Sequence, residues 1–241
     1  MPATTPYFSL FTTLVKDAER QGRSLAVLSL AYSLAPKATY PTQLRQAVEA
    51  LRYVLENNGQ PRSPERILLG GDSAGGNLAL GVLAHIKHPH PEISPLQLGN
   101  SGELLAGLVA LSPWVSLQTE FSEPVDSCGD LVGDGVARVW VPAYLGNRPR
   151  EAYNDPMLAP DEWLPQFPVK KMIFLAGENE VLLPLILKYV DRLRKFYPPS
   201  KLELVVGPRE CHVAPVYHKY VGDGKETVQG AKWRAFVSDA F

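Results

Sequence analysis

The sequence predicts an α/β fold in which a mostly parallel sheet is covered by helices on both faces. Two observations favour this class. Apolar runs of strand length alternate with longer segments whose apolar residues recur at helical spacing. The short runs are apolar throughout, which is typical of strands buried on both sides. At 241 residues and 45% hydrophobic composition, the chain can bury a substantial core as one domain, and we expect a single domain over 1–241.

The alternation gives five helices and five strands. The predicted helices are 8–22, with Phe8, Phe11, Leu14, Val15 and Ala18 inward; one opened by Pro41 and ending near Asn58-Gly59, with Leu44, Val48, Leu51 and Leu55 inward; one beginning at Ala74; one carrying Ile186, Val190, Leu193 and Tyr197; and 227–241. The predicted strands are 25–32, 66–70, 105–111, 171–176 and 202–206.

Residues 115–165 break this alternation with many prolines and glycines. We expect them to form a cap-like insertion after the third strand. Asp126, Asp130 and Asp134 lie there at a spacing of four, which does not fit the every-second-residue ligands of a calcium loop. We therefore interpret these aspartates as solvated residues and helix caps.

Ser73 lies at the centre of Gly70-Gly71-Asp72-Ser73-Ala74-Gly75-Gly76, between an apolar run and the start of a helix. A G-x-S-x-G sequence in a strand-turn-helix is typical of a nucleophile elbow. Gly71 and Gly75 are expected to be glycine because a side chain would clash with the neighbouring strand or helix. The Ala74 amide, at the helix N-terminus, is the expected oxyanion donor. The alternative is a glycine-rich loop with a structural serine.

A serine nucleophile needs a base and an acid. Where the serine lies on a nucleophile elbow, the acid follows it along the chain and the histidine base comes after the acid. His212 follows the strand 202–206 and is the candidate base. Glu180, after the strand 171–176, is the first candidate for the acid, and Glu178 is the second. The acid would hold the imidazole in the correct tautomer and stabilise the imidazolium.

The other histidines are expected at the surface. His85, His88 and His90 lie at a helix end and in a polar, proline-containing stretch, too close to Ser73 in sequence to return from a later strand. His218 lies beyond the loop in which the base is expected.

Charge, hydropathy and cysteine content exclude several function classes. A net charge of −1 gives no basic field for nucleic acid, and no apolar stretch approaches the ~18 residues of a membrane span. Two cysteines, Cys128 and Cys211, are too few for a disulfide framework and indicate a reducing compartment, so we expect a cytoplasmic protein. Cys211 adjoins His212, but sequence neighbours seldom face each other as a nucleophile and base.

With Ser73, Glu180 and His212 assigned, the chain resembles the hormone-sensitive-lipase-like branch of the α/β-hydrolases, which includes arylacetamide deacetylase-like proteins and many microbial carboxylesterases. The elements similar to that branch span nearly the whole chain in the same order, and their amino-acid sequences most resemble those of fungal members. They are, besides the Ser73 motif, Ala31-Tyr32-Ser33-Leu34-Ala35-Pro36 with Tyr40-Pro41, Leu111-Ser112-Pro113-Trp114, Asp155-Pro156 with Ala159-Pro160, Gly177-Glu178-Asn179-Glu180-Val181-Leu182 and Glu210-Cys211-His212.

The chain departs from that branch in the oxyanion segment. A His-Gly-Gly-Gly motif that normally lies upstream of the Tyr32 element is missing from this sequence, and we expect the strands before it to be missing too. Losing one oxyanion donor typically costs about 10²–10³ in turnover. Ser33 and Lys37 replace the branch's Arg and Glu, and Glu180 replaces its usual Asp. A bared sheet edge would favour homo-oligomers.

The resemblance implies a serine hydrolase that cleaves carboxylic esters of lipophilic small molecules through an acyl-enzyme, without a metal or cofactor. Trp114, Trp140 and Tyr144 are candidates to line its pocket, or are core residues of the insertion. The alternative is a truncated or remodelled hydrolase-fold protein that binds a small molecule, transfers an acyl group or catalyses a cyclisation.

Overall fold

The computed structural model describes residues 5–56, 59–99, 102–119, 129–133 and 135–241. The helices are α1 (Thr5–Arg20), α2 (Thr42–Glu56), α3 (Ala74–Lys87), α4 (Val136–Leu145), α5 (Leu183–Arg194), α6 (Ala214–Tyr220) and α7 (Val228–Ser238). The strands are β1 (Leu68–Asp72), β2 (Gly107–Leu111), β3 (Met172–Gly177) and β4 (Leu202–Gly207). They form one parallel sheet in the order β1-β2-β3-β4, which confirms the predicted fold class.

Helices cover both faces of the sheet because side chains along each strand point alternately to opposite sides. Leu108, Met172 and Phe174 face a large apolar core shared with α2, α3 and α5. Val109 and Ile173 face a smaller core shared with α1, α6 and α7. Every residue of β2 and β3 is buried, as expected for central strands of a parallel sheet.

The helical periodicity in the sequence identified most inward faces. The predicted residues of α2 are all buried, and Ile186, Val190 and Leu193 of α5 are fully buried. Tyr197 lies beyond the end of α5 and donates to the Leu164 carbonyl.

The face of α1 differs from the prediction. Phe8 is 56% exposed, whereas Leu10 and Leu14 are the buried residues of this helix. The helix packs against α6 and α7, and this contact selects a stripe that runs through Tyr7, Leu10, Phe11 and Leu14.

The predicted strand over 25–32 is wrong. Residues 23–34 form neither helix nor strand, and Leu28 is 60% exposed. Leu25 and Tyr32 anchor the segment by packing onto the smaller and the larger core, respectively. An apolar run becomes a strand only when a neighbouring edge accepts its hydrogen bonds, and among the described residues this segment has no such partner.

The prediction that His85 and His90 lie at the surface is also wrong, because both are buried. The His85 ring accepts from the His90 amide (3.0 Å) and faces the Ser94 carbonyl (3.1 Å), which ties the loop after α3 to the helix. Burial lowers the pKa of His85. His88 is half-buried and stacks on the Trp163 ring, with centroids 4.0 Å apart. His218 is partly exposed.

The described residues of 115–165 pack on the main core. Val115, Leu117, Val141, Leu145 and Leu164 are buried in the same cluster as β2 and β3. These residues of the segment therefore share the main core with the sheet. Asp126, Asp134 and Cys128 lie outside the described residues.

No helix among the described residues is long and apolar enough to cross a membrane. The same part of the chain contains no cluster of three or more His, Cys, Asp or Glu side chains suited to a metal ion.

Candidate active site

Each strand delivers candidate site residues to the same edge of the sheet, because all four strands are parallel. Ser73 follows β1, Ser112 follows β2, Glu180 follows β3 and His212 follows β4. Backbone hydrogen bonds continue the sheet into these loops: the Ser73 amide donates to Leu111 and the Ser112 amide to Leu175. The edge is thus a rigid platform, and ligand sites in parallel sheets are found at such edges.

Ser73 occupies a sharp turn between β1 and α3. Its φ of 53° and ψ of −118° are rare for a residue with a side chain and store strain of about 1–3 kcal/mol. Its carbonyl accepts from the amides of Asn77 (3.1 Å) and Trp114 (3.0 Å), which hold the turn in place. The Ala74 amide is the first of α3, where amides lack intrahelical acceptors.

The glycines around Ser73 have different reasons. A Cβ on Gly71 would lie 2.2 Å from the Gly75 carbonyl oxygen, and one on Gly76 would lie 2.8 Å from the Pro113 Cβ. A Cβ on Gly75 would meet no described atom within 4 Å, so the expected clash at that position is wrong. The turn is closed by Gly71 and Gly76, whereas the position of Gly75 is open.

Glu180 and His212 form a buried hydrogen-bonded pair. Glu180 Oε1 lies 2.8 Å from His212 Nδ1, and the two side chains are 0% and 6% exposed. Ser112 Oγ and the Gly177 amide donate to Glu180 Oε2, each at 2.9 Å. Both carboxylate oxygens therefore have partners, as a buried charge requires.

Glu178 is oriented differently from Glu180. Its side chain is exposed and accepts from the Arg209 amide at 2.7 Å. Only one of the two glutamates thus contacts the imidazole, and the geometry favours Glu180 as its acidic partner.

Burial opposes a charge on His212, but the hydrogen bond and charge of Glu180 outweigh it and raise the pKa of the imidazole above its ordinary value. The carboxylates of Asp130 and Asp72 add to this effect. Nδ1 faces a carboxylate and therefore carries a proton. Nε2 is then the ring nitrogen that can accept a proton.

Ser112 is a residue of the site to which the sequence analysis gave no role. Besides donating to Glu180, its Oγ accepts from the Val213 amide at 3.1 Å. It therefore connects Glu180 to Val213, the residue after His212. Its position directly after a buried strand was the available signal, because such residues share the edge with Ser73.

Asp130 is a second missed residue, and the interpretation of it as a solvated residue or helix cap is wrong. It accepts from the amides of His212 and Val181, each at 2.8 Å. It lies far from both in the sequence, and no local pattern indicates these contacts.

Positive φ angles cluster at this edge. The non-glycine residues with positive φ in the described part of the chain are Ser73, Ser112, Arg209 and Val213. All follow β1, β2 or β4 at the edge formed by the C-terminal ends of the strands, the carboxyl edge of the sheet. Backbone strain concentrated in this way is typical of functional sites.

Ser73 Oγ makes no hydrogen bond to His212 or to any other described residue. Catalytic hydrogen bonds are often long without a bound substrate and tighten in the reacting complex. Asp72, adjacent to Ser73, is near enough to His212 to affect its pKa, and it accepts from the Tyr7 hydroxyl at 2.8 Å. The Ser73 turn, His212 and α1 therefore meet in one region.

Cys211 is buried, and burial together with the charge of Asp130 raises the pKa of its thiol to about 11. A thiol in this state is a poor nucleophile, since the thiolate is the reactive form.

Two tryptophans lie near the elbow. The Trp114 amide donates to the Ser73 carbonyl. The Trp114 ring packs edge-to-face with that of Trp140 on α4, with ring centroids 6.2 Å apart. Trp140 is 51% exposed. Tyr144, on the same helix, contacts Tyr40 and packs on the main core.

Known proteins match this chain over most of its length or over a part of it. An acetyl-hydrolase of Streptomyces hygroscopicus is 29% identical over 209 residues, which cover 86% of this chain and 63% of that protein. An arylacetamide deacetylase of Oryctolagus cuniculus is 41% identical over 75 residues, or 29% of this chain and 18% of that protein. The chain therefore spans less than two thirds of the length of these relatives.

Solved structures share the fold. A hormone-sensitive lipase from a metagenome library superposes with a TM-score of 0.73 at 24% identity, covering 100% of this chain and 75% of that one. A carboxyl esterase from Tuber melanosporum gives 0.73 at 21% identity, covering 99% and 72%. A family model described as alpha/beta hydrolase fold matches residues 14–215. The chain therefore belongs to the α/β-hydrolase fold family.

Proposed function

We propose that this chain is a serine hydrolase that cleaves carboxylic esters through a covalent acyl-enzyme. Ser73 is the nucleophile, His212 the base and Glu180 the acid. The observation that carries the proposal is the buried Glu180–His212 hydrogen bond at the same sheet edge as the strained Ser73 turn. The names of the relatives, an acetyl-hydrolase and an arylacetamide deacetylase, point to the same reaction class.

The proton moves through His212. Its Nδ1–H donates to Glu180, so Nε2 takes the Ser73 proton as Oγ attacks the ester carbonyl. The Ala74 amide and the N-terminus of α3 face the oxyanion. The imidazolium then gives its proton to the departing alcohol. Water then attacks the acyl-enzyme by the same route and releases the acid, so these steps use side chains, a backbone amide and solvent.

Lipophilic ester substrates fit the surroundings of Ser73. Trp114 is hydrogen-bonded to the elbow, and the exposed Trp140 leans on it. The ring of Trp114 is buried, so Trp140 is the one that offers exposed apolar area to an acyl or alcohol group at low entropic cost.

The test is covalent labelling with a fluorophosphonate probe together with hydrolysis of p-nitrophenyl butyrate. Ser73→Ala should abolish labelling, and Ser73→Ala and His212→Ala should each lower turnover by roughly 10⁴-fold or more. The control variants Ser24→Ala and His218→Ala, which remove a serine and a histidine outside the proposed triad, should keep both signals.

A second candidate is a hydrolase-fold protein that uses the pocket for binding or acyl transfer. The observation that favours it is that, among the described residues, the hydrogen bonds of His212 go to Asp130 and Glu180 and none goes to Ser73. A folded chain that shows neither labelling nor hydrolysis would support this candidate and contradict the first.

A further inference from the structure

The carboxylate of Asp130 connects the loop after β3, which contains Glu180, with the loop after β4, which contains His212. Its Oδ2 accepts from the amide of Val181, the residue after Glu180, and its Oδ1 accepts from the amide of His212, both at 2.8 Å. A third amide, that of Leu131, donates to Oδ1 at 2.7 Å. Asp130 belongs to the segment 115–165, whereas Glu180 and His212 lie in the loops after β3 and β4.

A carboxylate suits this position better than an amide does. Only an ionised carboxyl group offers two acceptor oxygens without a donor. An asparagine would accept with one oxygen and direct its NH₂ group at one of the amides of Val181 or His212. Hydrogen bonds to a charged acceptor are also shorter and stronger than neutral ones.

The charge of Asp130 acts on the imidazole as well as on the backbone. The acidic groups that face His212 are Glu180 from the loop after β3, Asp130 from the insertion and Asp72 from the end of β1. Together they raise the pKa of His212 against the effect of burial. The nearby Cys211 thiol responds to Asp130 in the direction expected for a negative charge.

We propose that Asp130 is a positioning residue of the site: it fixes the spacing of the Glu180 and His212 loops and supplies a second negative charge to the imidazolium. This inference rests on the proposed function for its effect on catalysis, but its effect on His212 can be measured without any turnover.

The chain offers a matched control in Glu178. It also joins the two loops through a carboxylate, accepting from Arg209, but it is exposed and is not among the charges that act on His212. Glu178→Gln removes the charge of a brace between the loops, keeps one acceptor oxygen for the Arg209 amide and leaves the charge at the imidazole unchanged. Comparing Asp130→Asn with Glu178→Gln therefore separates the two roles.

The experiment is an NMR titration of the His212 ring in the full chain, followed by the pH profile of p-nitrophenyl butyrate hydrolysis. We expect Asp130→Asn to lower the pKa of His212, to move the acidic limb of kcat/KM to lower pH, and to lower kcat by roughly 10-fold with KM little changed. Asp130→Glu should restore part of the pKa, and Glu178→Gln should leave the pKa and the limb in place.

An unchanged His212 pKa in folded Asp130→Asn would overturn the charge role, whatever happens to turnover. Equal losses of kcat in Asp130→Asn and Glu178→Gln would reduce Asp130 to a structural brace and overturn the proposal. A shifted pKa in a chain that never hydrolyses an ester would support the role of Asp130 at the imidazole and contradict the proposed function alone.

Discussion

At the residue scale, the protonation of His212 makes the site depend on pH. As the proposed base, His212 must be neutral to accept a proton, and its pKa is raised above the ordinary value of 6.5 by Glu180 and the neighbouring aspartates. We therefore expect kcat/KM to rise with pH through an apparent pKa above 6.5. Glu180→Gln removes the main opposite charge and should move this limb to lower pH while lowering the plateau. A limb at or below 6.5, or one that Glu180→Gln does not move, would contradict this reading.

The same raised pKa has the opposite effect on stability. The folded chain binds this proton more tightly than the unfolded chain does. The stabilisation is therefore fully present below the unfolded pKa of 6.5 and is lost as pH rises through the folded pKa. The pH of greatest His212-linked stability thus lies below the pH of greatest activity.

The elbow glycines give a second prediction at this scale. Gly71→Ala places a Cβ 2.2 Å from a backbone oxygen that cannot move without opening the turn, and we expect it to cost at least about 3 kcal/mol in the free energy of unfolding. Gly75→Ala adds a methyl group in open space in the first turn of α3 and should change stability by less than about 1 kcal/mol. Urea denaturation of both variants tests this. Equal losses would contradict the assigned contacts.

At the scale of elements, the segment 25–32 is an apolar run without a sheet partner. Val27, Leu28 and Leu30 are exposed, and among the described residues β1 has a sheet partner on one side only. Apolar segments of this kind favour pairing with another chain. We expect concentration-dependent self-association, measured by sedimentation velocity. Leu28→Lys should weaken it, whereas Leu187→Lys, at an exposed leucine on α5, should not. A monomer at all concentrations would contradict the expectation.

The helices and the failed strand also show what periodicity can predict. The stripe of α2 was readable because its inward residues recur at a fixed spacing over several turns. Periodicity over 25–32 gave only apolar character, and strand formation depends on a neighbour that the pattern does not contain. His85 and His90 were misjudged for a related reason: the loop that buries them folds back onto α3 through their own ring nitrogens.

At the scale of the whole molecule, the order of the site residues along the chain was predictable because parallel strands send their carboxyl ends to one edge. This reasoning led to Ser73, Glu180 and His212 as candidates. It could not lead to Asp130, whose hydrogen bonds to Val181 and His212 cross the molecule and follow no local rule. Ser112 was within reach of the same argument, but nothing in its own sequence motif indicated a contact with a carboxylate.

The two cores on either side of the sheet are unequal, and this has a dynamic consequence. The smaller one is closed by α1, α6 and α7, and α6 begins shortly after His212. Helices that bury less apolar area open first in native-state hydrogen exchange. We expect amides of α1 and α6 to exchange well before those of α3 and α5, measured by mass spectrometry. Uniform exchange would contradict this. On mild warming, His212 would then be displaced while the sheet still holds Ser73, and the proposed activity would be lost before the overall fold.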